Sequence, residues 1–299
     1  MLILVIMVMM VAARMLVLVI LVGIVMMMVM MVLFLFVLVV LLGLGAADHV
    51  SQLFGERVLL LHGFTGTPAN MHSIWRCLEA DEQECRLNTN IKNEYTIYAP
   101  LLSGHGTNLR NMQKSCAREW IEDALKAYDR LTAAGCEKIY VAGLSMGGLL
   151  AAIVASERRV DGVIMICAPA KMKLYLHICR FLSLAVPYII TGEPHWQEDE
   201  EAQTYMGMAT ARISDLNKIR RRANKAVSKI TAPLLVIQSR EDNKVAHGSA
   251  ERILRSAESA KIAEAVFFSG AKHGITYSNK RGEAAECVKN FIAAQDSWG

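Results

Sequence analysis

The stretch Lys138–Gly148, KIYVAGLSMGG, decides how this chain reads. A strand-type run, Lys138–Ala142, leads into Gly143-Leu144-Ser145-Met146-Gly147, and a helix-type run, Gly147–Ser156, leads out. A G-x-S-x-G match alone arises by chance in roughly one chain in ten of this length. Between a strand and a helix it is far more specific, because that context describes a sharp turn exposing a serine hydroxyl at the edge of a sheet. The glycines stand where a Cβ would collide with the adjoining strand and helix. Ser145 is therefore the candidate nucleophile.

A serine hydroxyl is a weak nucleophile without a base. On such a sheet the partners follow in the order Ser, acid, His. Of the eight histidines only His247 and His273 lie beyond the next suitable acid. His273 sits in Gly270–Gly274 (GAKHG), a loop directly after the strand-type run Glu264–Phe268. His247 follows Asp242 too closely and would have to double back. The acid is expected after the strand Pro233–Gln238, in Ser239-Arg240-Glu241-Asp242. Asp242 is the choice and Glu241 the alternative. Charge developing on a substrate oxygen also needs donors, each worth about 3–4 kcal/mol in the transition state. The Met146 N–H supplies one. Phe64, in His62–Gly66 (HGFTG) after the strand Arg57–Leu61, is the expected second. His62, and His105 in Ser103–Gly106 (SGHG), read as braces of their loops.

Outward from this site, strand-type and helix-type segments alternate, the pattern of a mostly parallel sheet with helices on both faces. Helices are expected at Asn70–Ala80, Arg118–Ala134, Gly248–Ser259 and Glu283–Ala293, and further strands at Thr96–Leu101 and Gly162–Cys167. Residues 171–230 break the alternation and hold no clear strand. They carry an apolar run, Leu174–Ile190, and read as a helical cap, since a structureless loop of that length is unusual.

Residues 1–47 are almost wholly Met, Val, Leu, Ile and Phe, with Arg14 their one charge. Two readings fit them. One is an apolar helix long enough to span a membrane. The other is translation of a repetitive T-rich tract ahead of the true start, since those five residues share T at the second codon position. Residues 48–299 then form one α/β domain, ample for a large core. The net charge of +4 says little by itself; a nucleic-acid binder usually shows a concentrated basic face and a much higher pI, so no nucleic-acid partner is expected. The run Lys218–Arg222 with Lys225 and Lys229 reads as a solvated face. The seven cysteines form no CxxC pair and no zinc pattern, which favours reduced thiols in a reducing compartment.

LLLHGFTG, PLLSGHG, VAGLSMGG, CAP, the Asp242 segment and the His273 loop together resemble the bacterial carboxylesterase and monoacylglycerol lipase branch of the α/β-hydrolases, over nearly all of residues 57–296. The resemblance implies an α/β-hydrolase fold with an eight-strand, mostly parallel sheet and a small helical cap. It implies hydrolysis of short- to medium-chain acyl esters or monoacylglycerols. It assigns Ser145, Asp242 and His273 as the catalytic residues, with Phe64 and Met146 as oxyanion donors. No metal or redox cofactor is implied; the expected partner is a small acyl ester, with membrane association only through residues 1–47. Thioesterase or amidase chemistry, or a non-catalytic binding protein on the same scaffold, are the alternatives. Because the motifs begin at His62, removing residues 1–47 is expected to leave turnover of soluble esters unchanged. A folded, soluble but inactive truncation would contradict that reading.

Overall fold

The computed structural model describes residues 57–87, 95–133, 138–173, 186–190, 200–205 and 207–296. The apolar segment 1–47 and most of Leu174–Ile190 lie outside the described residues. In chain order the elements are β1 (Arg57–Leu61), α1 (His72–Leu87), β2 (Thr96–Tyr98), α2 (Leu109–Lys114), α3 (Ala117–Ala133), β3 (Ile139–Leu144), α4 (Met146–Glu157) and β4 (Gly162–Ile166). They continue with β5 (Tyr188–Ile190), β6 (Gly207–Ala209), α5 (Thr210–Ala226), β7 (Leu234–Ser239), α6 (Ser249–Ser256), β8 (Ala263–Phe268) and α7 (Arg281–Asp296). Among the described residues no helix is long and apolar enough to cross a membrane.

The central sheet runs β2-β1-β3-β4-β7-β8, every neighbouring pair parallel. It has six strands among the described residues, where eight were expected. The other two described strands, β5 and β6, pair only with each other and do not extend this sheet.

Parallel strands covered on both faces read as continuous apolar runs, and RVLLL and GVIMI are wholly buried. Alternate residues feed two separate cores. Leu59, Leu61, Val141, Val163, Met165 and Val236 face α3, α4 and α5. Val58, Leu60, Ala142, Ile164, Ile166 and Ile237 face α1 and α7. α4 is the innermost helix, with Met146 to Val154 all buried. Its Gly-, Ala- and Leu-rich sequence carries no polar face because no side of it meets water.

The expectation of no strand in 171–230 is corrected. β5 and β6 pair antiparallel within the cap, Tyr188 opposite Ala209 and Ile190 opposite Gly207. Strands of three residues are too short to display a two-residue period. Position 207 must be glycine, because a Cβ there would strike the Ile189 carbonyl. α5 carries the basic run, partly ion-paired: Lys218 with Asp215 at 2.9 Å and Arg222 with Glu157 at 2.6 Å.

Leu150 is fully buried on α4. Leu150→Ala is expected to cost about 2–5 kcal/mol in urea denaturation. Lys126→Ala, at a mostly exposed position on α3, should stay within about 0.5 kcal/mol of the parent.

Candidate active site

The turn between β3 and α4 sets the site. Ser145 has φ 55° and ψ −114°, a conformation that L-residues rarely adopt. Such a residue carries strain of order 1–3 kcal/mol and persists only where its surroundings hold it. Here its amide donates to the Ile166 carbonyl at 2.7 Å, and its carbonyl accepts from Gly148 and Leu149. A Cβ on Gly147 would run into the Leu61 carbonyl oxygen, and one on Gly143 into the Gly147 carbonyl. The Ser145 side chain is half-buried at the carboxyl edge of the sheet. Met146 begins α4, so its amide has no acceptor within the helix and lies at the positive end of the helix dipole.

The loop after β1 passes directly beside this turn: a Cβ built on Gly63 would stand 3.4 Å from the Ser145 Cβ. His62 ties that loop to the one after β2. Its Nε2 accepts the Leu102 N–H at 3.1 Å, so the ring proton is on Nδ1 and donates to the Gly63 carbonyl at 2.9 Å. His105 stands edge-on to His62 at 5.0 Å, to Trp120 at 5.4 Å and to Phe64 at 6.4 Å. Trp120, fully buried, donates from Nε1 to the Ser103 carbonyl at 2.8 Å. Burial, then the neighbouring His105, lower the His62 pKa to about 3. Burial lowers that of His105 to about 4. Both are neutral structural rings, as their expected bracing role requires.

At the far side of the edge, Asp242 Oδ2 lies 2.9 Å from His273 Nδ1, and both residues are 7 % exposed. Asp242 Oδ1 accepts the Lys244 and Val245 amides, each at 2.8 Å. Burial alone would raise this carboxyl. The hydrogen bond and charge of His273, with those two amides, outweigh it and hold the pKa at about 2. Glu241 is exposed and accepts instead from the Gly270 amide at 3.1 Å. The structure thus brings Asp242, not Glu241, to His273. His247 is exposed at the start of the α6 segment. Ser145, Asp242 and His273 follow the carboxyl ends of β3, β7 and β8, and Phe64 follows that of β1, the edge where open α/β sheets place their sites.

Two residues at the site escaped sequence reasoning. Gln238, at the end of β7, donates from Nε2 to Asp242 Oδ2 at 3.2 Å. Cys167, just past β4, is fully buried with φ 47°. Its thiol sulfur, a carboxylate oxygen of Asp242 and a ring nitrogen of His273 lie within 4.8 Å of one another. A glutamine and a cysteine in apolar strands carry no local signal of such contacts.

Residues 58–286 match the model of the alpha/beta hydrolase family. The chain is 26% identical over 246 residues to a carboxylesterase of Bacillus subtilis (strain 168), covering 81% of this chain and 94% of that protein. It is 28% identical over 212 residues to a thermostable monoacylglycerol lipase of Bacillus sp. (strain H-257), covering 68% and 77%. Among solved structures it resembles one reported for the metagenome-derived lipolytic enzymes LipS and LipT, with TM-score 0.71 and 27% identity. That match covers 84% of this chain and 98% of the other.

The two buried histidines make stability pH-dependent. Their folded pKa values lie below the ordinary 6.5, so on acidification the unfolded chain takes up two protons that the folded chain refuses. Stability is expected to be level near neutrality and to fall from pH 6.5 towards pH 4, at a slope approaching about 2.7 kcal/mol per pH unit. Asp242, depressed from 3.8 to about 2, adds a contribution present above pH 3.8 and lost as pH falls through 2. Urea titrations between pH 7 and 4.5 measure the slope, and His105→Gln should roughly halve it. A flat profile would refute the buried neutral pair.

Proposed function

This chain belongs to the α/β hydrolase family, and on that premise we propose that it is a serine esterase. Its proposed substrates are short- to medium-chain carboxylic esters or monoacylglycerols, cleaved through an acyl-enzyme. The observation that carries the reading is the buried Asp242–His273 pair standing on the same sheet edge as the strained Ser145 turn.

In this reading Asp242 accepts the Nδ1 proton of His273 at 2.9 Å, which leaves the Nε2 lone pair free for the Ser145 proton. An Asp in this position also stabilises the imidazolium as it forms without itself becoming protonated. Ser145 attacks the acyl carbon, His273 returns the proton to the departing alcohol, and water resolves the acyl-enzyme by the same route. The oxyanion is met by the amides of Met146 and Phe64. Phe64, braced through His62 and edge-on to Trp120 at 5.7 Å, keeps its amide fixed and lends its ring to an apolar acyl pocket. Such fixed donors need no reorganisation as charge develops. Identity to a carboxylesterase and to a monoacylglycerol lipase supports esters over amides as substrates.

The test is hydrolysis of p-nitrophenyl esters from acetate to long chains, alongside a matched thioester and amide. Ester turnover should dominate, and a fluorophosphonate probe should label Ser145. Ser145→Ala should lower kcat by about a million-fold, and Asp242→Asn by about ten-thousand-fold. Glu241→Gln should do little. A purified, folded Ser145→Ala protein that keeps a tenth of the activity would sink the assignment.

A further inference from the structure

We propose that Cys167, Asp242 and His273 form a binding site for a thiophilic divalent cation, Zn2+ or Cd2+, and that its occupancy switches hydrolysis off. The inhibitory part rests on the catalytic roles proposed above; the site itself does not.

Three strand ends contribute to it, Cys167 from β4, Asp242 from β7 and His273 from β8, with their ligand atoms within 4.8 Å of one another. Sulfur, imidazole nitrogen and carboxylate oxygen are the donors zinc takes, at about 2.0–2.3 Å in a tetrahedral arrangement. Tetrahedral bonds of that length set donors roughly 3.3–3.6 Å apart. No separation therefore has to shorten by more than about 1.5 Å, and the 2.9 Å contact between Nδ1 and Oδ2 has to open slightly.

The surroundings hold the donors in place. The Cys167 amide is fixed to the Ile237 carbonyl at 2.7 Å, which keeps the left-handed backbone that aims this residue at the pair. The other Asp242 oxygen is anchored by two amides, so Oδ2 stays turned towards His273 and Gln238. A thiolate and a carboxylate together balance a divalent charge in this buried place. Asp242 and His273 keep 7 % exposure each, and that side is the ion's way in.

Binding has a definite proton balance. The ligand form of a cysteine is the thiolate, so the cation enters by replacing the Cys167 thiol proton, which passes to solvent. Nδ1 is the nitrogen that already meets Asp242, and it becomes the ligand. The imidazole proton moves from Nδ1 to Nε2 and the ring stays neutral. Nε2 then presents an N–H to Ser145 where the proposed mechanism needs a lone pair. Because a proton is released, inhibition should strengthen as pH rises.

The experiment titrates CdCl2 and ZnCl2 into the full-length protein after removal of adventitious metal. Cadmium should raise an ultraviolet thiolate-to-cadmium charge-transfer band that saturates at one equivalent, with ester turnover falling in step and EDTA restoring it. Cys167→Ser should weaken both effects by more than the roughly 10–100-fold typical of losing an outer-shell partner, and should turn over esters in metal-free buffer. Cys167→Ala provides a second variant if the serine protein fails to fold. Cys77→Ser, at a cysteine that donates to Glu286 on another part of the fold, should titrate like the parent. Equal metal sensitivity in the parent and both Cys167 variants would overturn the site, as would a band unaffected by their thiol loss. A Cys167-dependent band in a protein that hydrolyses no ester would uphold the site and remove the proposed function instead.

Discussion

The close approach of the β3–α4 turn to the carbonyl end of β1 is the constraint on which the rest of this structure depends. The backbone at Gly147 comes so near the Leu61 carbonyl that no side chain fits between them, and Gly143 meets Gly147 in the same way. This double absence of Cβ lets α4 start immediately at the sheet edge. It forces the one residue between strand and helix, Ser145, to φ 55°. The strain is offset by burial of α4 from Met146 to Val154. A surface helix has no comparable reserve, so the depth of α4 in the core and the placement of the half-buried Ser145 at the sheet edge are two sides of one arrangement.

Around that turn, two kinds of polar burial coexist. His62 and His105 are kept neutral and act through fixed hydrogen bonds and ring packing. Asp242 is kept charged by donors gathered from His273, Gln238 and two backbone amides. An unpartnered buried carboxylate would sooner take up a proton than remain ionised. The dense set of donors is therefore what allows Asp242 to be both buried and negative, and so able to orient His273 as the proposed mechanism requires. The same density explains why the neighbouring Glu241, exposed and bound to a single amide, is poorly suited to that task.

Much of this was legible in the sequence because it is encoded locally. The glycines flanking Ser145 sit within two residues of the turn they permit, and the strand-type runs before His62, Ser145 and Asp242 stand where the structure has strands. What was hidden depends on distance along the chain. Asp242 and Glu241 are adjacent and chemically alike, so only the tertiary path of the 270–273 loop separates them. Gln238 and Cys167 look like ordinary members of buried strands, and their contacts exist only once β4, β7 and β8 stand side by side. The β5–β6 hairpin has too few residues for a period, and its pairing joins positions 188 and 209 across a long insertion.

The cap is tied to the site at places that bear on selectivity. Tyr205 donates from its amide to the Thr65 carbonyl at 3.0 Å, and Thr204 bridges to Gly66. The Tyr205 hydroxyl donates to the Gly104 carbonyl at 2.7 Å and accepts the Thr107 amide at 2.9 Å. Asn70 reaches the Glu201 and Gln203 carbonyls at 2.7 and 3.2 Å. Every one of these bonds ends on the loop after β1, on its continuation towards α1, or on the loop after β2. Those are the loops that His62 locks together and that carry Phe64. A displacement of the 200–205 limb therefore acts on Phe64 through Thr65, its immediate neighbour, itself held at φ 69°. Fixed donors lose much of their value when misplaced by as little as 1 Å. Under the proposed mechanism, substrate fit at this limb of the cap and stabilisation of the oxyanion are mechanically coupled, and a change in cap packing acts on turnover as well as on binding.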